Sequence, residues 1–212
     1  MWPPEALEFL RELEDNNDRE WFRRERHRYE RYLAAPAREL TDQLRDLGAP
    51  RFFRPYNNLR FRPGPPIKEH LAFGIGFGAA GGYYVDLSLD GLLVGAGLFH
   101  PAPDQLERYR TALDNDGKGR AFERGLAGAA RAGLEPLEPD LKRAPRGYPA
   151  DHPRVEHLRR KRLVVAQRHP LGPWLHEGSC DERVRSQLRS ARPLVKWLAE
   201  IVGPSTQPER RR

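Results

Sequence analysis

Residues 71–99 read LAFGIGFGAAGGYYVDLSLDGLLVGAGLF, and apolar side chains alternate in them with glycines or polar residues. An alternation of period two is typical of β-strands, because successive side chains point to opposite faces of a sheet. Strands are therefore predicted at residues 71–78, 83–89 and 92–99. The dipeptide Asp90-Gly91 favours a tight hairpin turn between the last two strands. This stretch predicts a sheet of consecutive antiparallel strands.

One face of the predicted hairpin contains glycines instead of packed side chains. Tyr84 and Asp86 lie on that face beside Gly97 and Gly95. Glycine inside a strand indicates that another backbone or a ligand approaches closely. Two interpretations stay open at this point, a packed helix over the glycines or a ligand groove.

Helical periodicity lies on either side of this stretch. Helices are predicted over residues 3–13, 17–47, 103–116 and 118–132, briefly from Pro153, and from Ser179 to about residue 202. The long helix 17–47 has Asn17 as its predicted N-cap and bends or restarts at Pro36. Its aromatic stripe, which includes Trp21 and Phe22, is interpreted as core. Further strands are predicted at residues 51–62 and 163–166.

Together these elements predict an α+β fold. An antiparallel sheet of about four to six strands is flanked by the long N-terminal helix, two central helices and a C-terminal helix. A chain of 212 residues can bury one core without disulfides or a structural metal. We predict a single domain over residues 1–203 and a disordered basic tail over residues 204–212.

Composition excludes several classes of protein. The single cysteine, Cys180, cannot form an internal disulfide and indicates a reducing compartment. The first ten residues, MWPPEALEFL, lack the pattern of an export signal. The longest uncharged stretch, residues 71–85, is shorter than the roughly 20 residues of a membrane helix. The expected location is the cytoplasm, with no membrane partner.

The charge balance is basic, with 37 Lys and Arg against 30 Asp and Glu and a net charge of +7. A basic surface attracts phosphate backbones. No zinc-finger spacing, RNA-stacking signature or helix-turn-helix pattern accompanies the charge. A nucleic-acid accessory protein that uses the Arg-rich face of helix 17–47 and the C-terminal helix is therefore an alternative that we do not favour. A scaffold without a ligand is a third hypothesis, in which Tyr84 and Asp86 lie buried under the Trp21 helix.

Two sequence patterns resemble known binding motifs, but neither predicts a site in this chain. Residues 76–81 spell G-x-G-x-x-G, but a predicted strand follows them where a dinucleotide site needs a helix N-terminus. His152 and His157 are five positions apart, which on a helix directs them away from each other, so no metal site is predicted. No cofactor is assigned.

The residues that suggest a site are a set of charged and polar side chains near strand ends and the proline-rich loop 133–153. The candidate ligand-binding residues are Arg54, Arg60, Lys68, His70, Tyr84, Arg146 and His157. Such cations suit phosphate or carboxylate, and histidine carries protons near neutral pH. His152 is the candidate general acid or base, and Asp86 is the candidate orienting carboxylate. We expect a small anionic ligand, leave open whether the protein is an enzyme, and retain the alternative of scattered surface charges.

Several motifs match a known family in order along the chain. They are residues 16–22 (NNDREWF), 54–61 (RPYNNLRF), 68–70 (KEH), 82–84 (GYY), 147–148 (GY) and 151–153 (DHP). Over roughly residues 3–202 the chain resembles the family called domain of unknown function 2461. The resemblance implies a single α+β domain and supplies no established reaction, substrate or cofactor.

The chain departs from the family pattern at residues 57–67. Members typically read R-D-V-R-F-S-x-D-K-x-P-Y-K-T-H where this chain is one residue shorter and reads NNLRFRPGPPIKEH. Arg60, Lys68 and His70 are retained, Asn57 and Asn58 replace an Arg and an Asp, and Ile67 replaces a Tyr. A family reaction that uses that Asp or Tyr would be altered or lost here, whereas anion binding would survive better.

Overall fold

The computed structural model describes residues 1–60, 63–78 and 80–207. These residues form an α+β fold with a six-stranded antiparallel sheet, which confirms the predicted fold class. The strands are β1 (Pro50–Phe52), β2 (His70–Gly78), β3 (Gly81–Ser88), β4 (Gly91–Leu98), β5 (Glu135–Pro136) and β6 (Leu163–His169). Their order across the sheet is β1-β2-β3-β4-β6-β5.

The helices follow the predicted order along the chain. They are α1 (Pro4–Asp15), α2 (Arg19–Arg28), α3 (Ala35–Asp42), α4 (Pro103–Asp114), α5 (Asp116–Ala130), α6 (Val155–Leu158), α7 (Gly178–Ser190) and α8 (Arg192–Trp197). None of the helices in the described part of the chain combines the length and the apolar character needed to cross a membrane.

The long helix predicted over residues 17–47 is interrupted and starts one residue later. Its N-cap is Asp18, whose carboxylate accepts hydrogen bonds from the backbone N–H groups of Glu20 and Trp21. The interruption expected near Pro36 is a π-helical segment, Tyr29–Ala34, between α2 and α3. The prediction of Asn17 as the cap is therefore wrong, because the Asn17 side chain bonds elsewhere, to the backbone of Ile67.

The hairpin turn is displaced from its predicted position by one residue. β3 ends at Ser88 and β4 begins at Gly91, so the turn residues are Leu89 and Asp90 instead of Asp90-Gly91. Gly91 has a φ of +123°, and a Cβ atom there would lie 2.2 Å from the carbonyl oxygen of His169. Glycine is therefore required at Gly91 by the neighbouring backbone.

Residues 51–62 do not form the single strand that their alternation predicts. β1 ends at Phe52, which is opposite Phe73 of β2. Pro55 has no N–H to donate to a ladder, and residues 54–60 form a loop. Phe61 and Arg62, the end of the predicted strand, lie outside the described residues.

The chain packs into two compact units. Unit 1 comprises Met1–Ile75, Tyr84–Val94 and Arg168–Arg185, and unit 2 comprises Gly76–Tyr83, Gly95–Gln167 and the chain from Ser186 onward. The single domain predicted over residues 1–203 stays a prediction.

The core of unit 1 contains the aromatic stripe that the sequence predicts to be buried. Phe22 is fully buried, and its ring lies 5.4 Å from that of Tyr29 and 6.5 Å from that of Phe9, centroid to centroid. Trp21 packs against Phe9 at 5.6 Å. These rings pack α1 against α2 and the segment that follows it, and so fix the position of the arginines on the outer side of α2.

The core of unit 2 is a second aromatic cluster. The ring of Phe122 on α5 lies 5.4 Å from Tyr109 of α4 and 5.0 Å from Trp197 of α8. Ser205 and Thr206, within the predicted tail, donate hydrogen bonds to the carboxylate of Asp104. Residues 208–212 of that tail lie outside the described part of the chain.

Candidate functional site

The loop after β1 is fixed by backbone and ring contacts within unit 1. The N–H of Lys68 donates to the carbonyl of Pro55 at 2.7 Å, and the N–H of Asn57 donates to the carbonyl of Pro66 at 2.9 Å. The ring of Tyr56 meets Phe22 edge-on, with 5.7 Å between centroids. These contacts hold residues 54–60 beside α2.

A groove lies between this loop and the first turns of α2, and we call it the arginine groove. It is lined by Arg19, Arg23, Arg54, Tyr56, Asn57, Asn58, Leu59 and Arg60, and its volume is about 610 Å³. Arg19 and Arg23 are four positions apart and so lie on one face of the helix. Among the described residues, the lining contains four guanidinium groups and no carboxylate.

The four arginines of this groove are exposed. No ion pair joins any of them to a carboxylate within residues 1–60, 63–78 and 80–207, whereas four other arginines of unit 1 are paired: Arg26, Arg28, Arg38 and Arg45. Four like charges around one groove repel one another in the absence of a counterion. The arrangement therefore favours an anionic guest with oxygen atoms that guanidinium groups can bind in pairs.

A second pocket of unit 1 adjoins the groove, and we call it the histidine cleft. Its lining residues are Glu14, Asn57, Pro65, Ile67, Lys68, Glu69, His70, Asp86, Ser88, Asp90 and Arg168, around a volume of about 330 Å³. Asn57 lines both pockets, so they are neighbours. Unlike the groove, the cleft mixes acidic and basic groups.

Asn17 determines the shape of one wall of the cleft. Its amide oxygen accepts the N–H of Ile67 at 3.0 Å, and its amide nitrogen donates to the carbonyl of Ile67 at 3.0 Å and to Glu69 Oε1 at 2.7 Å. A side chain that pairs with a backbone N–H and C=O in this way replaces a strand neighbour. Asn17 is thus a positioning residue for the segment that carries Lys68 and His70.

His70, Asp86 and Tyr84 form a connected group in the cleft. His70 Nε2 lies 3.7 Å from Asp86 Oδ2, close enough for direct charge attraction, and the Tyr84 hydroxyl donates to the same oxygen at 3.2 Å. Burial, reinforced by the adjacent Asp86 carboxylate, raises the pKa of Tyr84. Tyr84 therefore stays neutral and acts as a hydrogen-bond donor to Asp86.

Lys68 connects the two pockets electrostatically. Burial, and after it the charge of Arg54, lowers the pKa of the Lys68 ammonium group. A charge of the same sign has this effect only when it is near. Lys68 lines the histidine cleft and Arg54 lines the arginine groove, so a negative group between them would interact with both.

The remaining predicted site residues belong to unit 2. His152 is nearly buried, with Nε2 3.2 Å from Asp114 Oδ1 and with Nδ1 accepting the backbone N–H of Arg154 at 3.0 Å. The His157 ring packs on Phe122, and burial lowers its pKa. Arg146 is exposed in the proline-rich loop. The roles predicted for these three residues remain predictions.

Unit 1 therefore contains six of the nine predicted site residues, divided between its two pockets. Arg54 and Arg60 line the arginine groove, whereas Lys68, His70 and Asp86 line the histidine cleft. Tyr84 contacts the cleft through its hydrogen bond to Asp86. Sequence reasoning did not select Arg19, Arg23 and Arg168. The i, i+4 spacing of Arg19 and Arg23 was a signal that could have placed both on one helix face. Arg168 had no such signal, because it lies on a strand that is distant in sequence.

Two glycines of β4, Gly95 and Gly97, lie close to the backbone of a neighbouring strand. A Cβ atom on Gly97 would lie 2.1 Å from the carbonyl oxygen of Leu163, and one on Gly95 would lie 3.2 Å from that of Val165. The close approach is therefore made by the backbone of β6, the next strand of the sheet. The two interpretations of this face, a packed helix or a ligand groove, stay predictions.

The described residues contain no group of three or more His, Cys, Asp or Glu side chains arranged to hold a metal ion. The fold and the site define a class: an α+β protein with an antiparallel sheet, in which one unit has an arginine-lined groove beside a histidine-lined cleft. The model of the family described as "Conserved hypothetical protein (DUF2461)" matches residues 5–197, and the chain belongs to this family. No curated protein and no solved structure matches the chain.

Proposed function

We propose that this protein binds a small molecule bearing a phosphate or carboxylate group, and that the anionic group lies in the arginine groove. One observation carries the proposal: four guanidinium groups surround one groove that has no acidic residue in its lining. Paired N–H donors on each guanidinium match the oxygens of phosphate or carboxylate. A phosphate dianion carries twice the charge of a carboxylate and is the preferred guest.

The shape of the groove supports a small ligand more than an extended polymer. Its volume, about 610 Å³, is in the range of small-molecule pockets. Some arginines elsewhere on the long N-terminal helical segment are paired with carboxylates, among them Arg28 with Glu12 and Arg38 with Glu30. That pairing reduces the positive charge available to the alternative, a nucleic acid bound along the helix.

The test is binding of inorganic phosphate, sulfate, acetate and adenosine monophosphate, measured by calorimetry and by the shift of the melting temperature. A ligand at 100 times its dissociation constant stabilises the folded state by about 2.7 kcal/mol, so the melting temperature must rise. We expect phosphate and the nucleotide to bind more tightly than acetate. Arg54→Ala/Arg60→Ala should weaken phosphate binding at least tenfold.

A charge-matched variant provides the control. Arg124→Ala/Arg143→Ala removes two exposed arginines that line neither pocket of unit 1, and it should bind phosphate as the wild type does. Equal weakening in both double variants would show that only net charge matters. Tight binding of a DNA or RNA oligonucleotide that falls steeply between about 50 and 200 mM salt would favour the nucleic-acid alternative instead.

A further inference from the structure

The histidine cleft contains a histidine beside a carboxylate, as proton-exchanging sites do. A site that only binds an anion does not need this pair. The side chain of His70 is 34% exposed, whereas that of Asp86 is only 10% exposed. His70 therefore presents an open ring to the cleft and has a mostly buried carboxylate behind it. Nδ1 of His70 has no hydrogen-bond partner in the described part of the chain, so its position in the ring is available to solvent or a ligand.

Asp86 is arranged to orient His70 and to stabilise its charged form. A mostly buried carboxylate needs hydrogen-bond donors or a positive neighbour, because burial removes its water shell. The Tyr84 hydroxyl supplies one donor at 3.2 Å, and His70 Nε2, 3.7 Å away, supplies a positive charge when the ring is protonated. In the neutral ring this contact favours the proton on Nε2, which leaves the lone pair on Nδ1.

The other charges that line the cleft nearly balance one another. Lys68 and Arg168 are positive, and Glu14, Glu69 and Asp90 are negative. Glu69 accepts a hydrogen bond from Asn17, and Arg168 donates a hydrogen bond to Ser88. A doubly charged anion in the adjoining groove would add negative charge to these surroundings of His70.

We infer that His70 is the proton-exchanging residue of this site, that Asp86 is its positioning residue, and that an anion bound in the arginine groove drives proton uptake by His70. This inference rests on the proposed function. The reaction is one proton transfer: Nδ1 accepts a proton from solvent, the ring becomes an imidazolium, and the positive charge lies between Asp86 and the bound anion. A phosphate ester with a hydroxyl or ester oxygen in the cleft is the substrate class on which such a group would act.

The first measurement is calorimetry of sulfate binding in two buffers of different ionisation enthalpy between pH 6.5 and 7.5. Sulfate does not titrate in this range, so any proton taken up belongs to the protein. We expect a fraction of one proton per bound sulfate in the wild type and in His100→Gln, a control at an exposed histidine outside both pockets. In His70→Gln sulfate should still bind, with no proton uptake.

The second measurement is the tautomer of the histidine rings, determined from their ¹⁵N NMR chemical shifts. The Asp86 carboxylate favours the proton on Nε2 of His70, so Asp86→Asn should shift the His70 ring toward the Nδ1–H tautomer. Asp86→Glu should restore part of the Nε2–H tautomer, and the ring shifts of the other six histidines should stay unchanged, which reports an intact fold.

The two proposals fail in different ways. Sulfate binding without proton uptake at pH 6.5–7.5, or a His70 tautomer that does not respond to Asp86→Asn, overturns the role of His70 and leaves the proposed function standing. Absence of sulfate binding to the wild type overturns the proposed function and the coupling together. In that case the tautomer of His70 in Asp86→Asn still decides whether Asp86 and His70 act as a pair.

Discussion

Gly97 of β4 offers a direct test of the sheet that underlies this fold. Its φ is +128°, and a Cβ atom there would lie 2.1 Å from the carbonyl oxygen of Leu163 and 2.9 Å from the Cα of Val164. Contacts this short do not occur between real atoms, so Gly97→Ala must move one strand away from the other. Both strands belong in part to unit 2, where this contact lies.

The expected cost of Gly97→Ala combines two effects. The positive φ costs an L-residue roughly 1–2 kcal/mol, because its Cβ crowds the following carbonyl. Forcing an extra carbon into a packed region costs roughly 1–3 kcal/mol more. We expect Gly97→Ala to lower the free energy of unfolding by about 2–5 kcal/mol, a large fraction of the roughly 5–15 kcal/mol typical of a folded domain.

Variants at two further glycines separate the backbone cost from the packing cost. Gly147 has a φ of +92°, and a Cβ atom there would have no neighbour within 4 Å, so Gly147→Ala should show the backbone cost alone, about 1–2 kcal/mol. Gly178 has neither a positive φ nor a neighbour within 4 Å, and Gly178→Ala should change stability by less than about 1 kcal/mol. Urea unfolding followed by circular dichroism measures all three variants. Equal losses for Gly97→Ala and Gly147→Ala would refute the close packing of β4 against β6.

Two other predictions concern titrating groups of unit 1. The hydrogen bond from Arg28 lowers the pKa of Glu12 below its ordinary 4.5, so this pair stabilises the fold above that pH and the stabilisation disappears as the pH falls further. The difference in urea midpoint between wild type and Glu12→Gln should therefore shrink steadily as the pH falls below 4.5, and a constant difference would contradict the assignment. Burial raises the pKa of the Cys180 thiol to about 12, so a thiol reagent at pH 8 should label it only after unfolding, and rapid labelling of the folded protein would contradict its burial.

Local sequence signals predicted most of the secondary structure correctly. The alternation in residues 71–98 and the helical spacing around α1 and α4 depend on neighbours within a few positions. Errors occurred where distant residues decided the outcome. Asn17 has a good capping side chain, but Asp18 caps α2 and Asn17 pairs with Ile67, fifty positions away.

The sequence predicted which types of residue form the candidate site, but it did not predict where in the fold they lie. Sequence indicated that Arg54, Arg60, Lys68 and His70 suit an anion, and they do lie in two adjoining pockets of unit 1. It gave no reason to pair Asp86 with His70 rather than with His152. Sixteen positions separate His70 from Asp86, and only the pairing of β2 beside β3 brings them to one cleft.

The amino-acid sequence by itself determined the α+β class, the family and the approximate helix and strand positions, because periodicity, capping and turn chemistry act over a few residues. Tertiary structure alone decided why Gly97 is a glycine, which arginines share a groove without acidic partners, and which carboxylate faces His70. Each of these depends on strands and loops that are distant in sequence, and a contact between distant residues has no local signature in the chain.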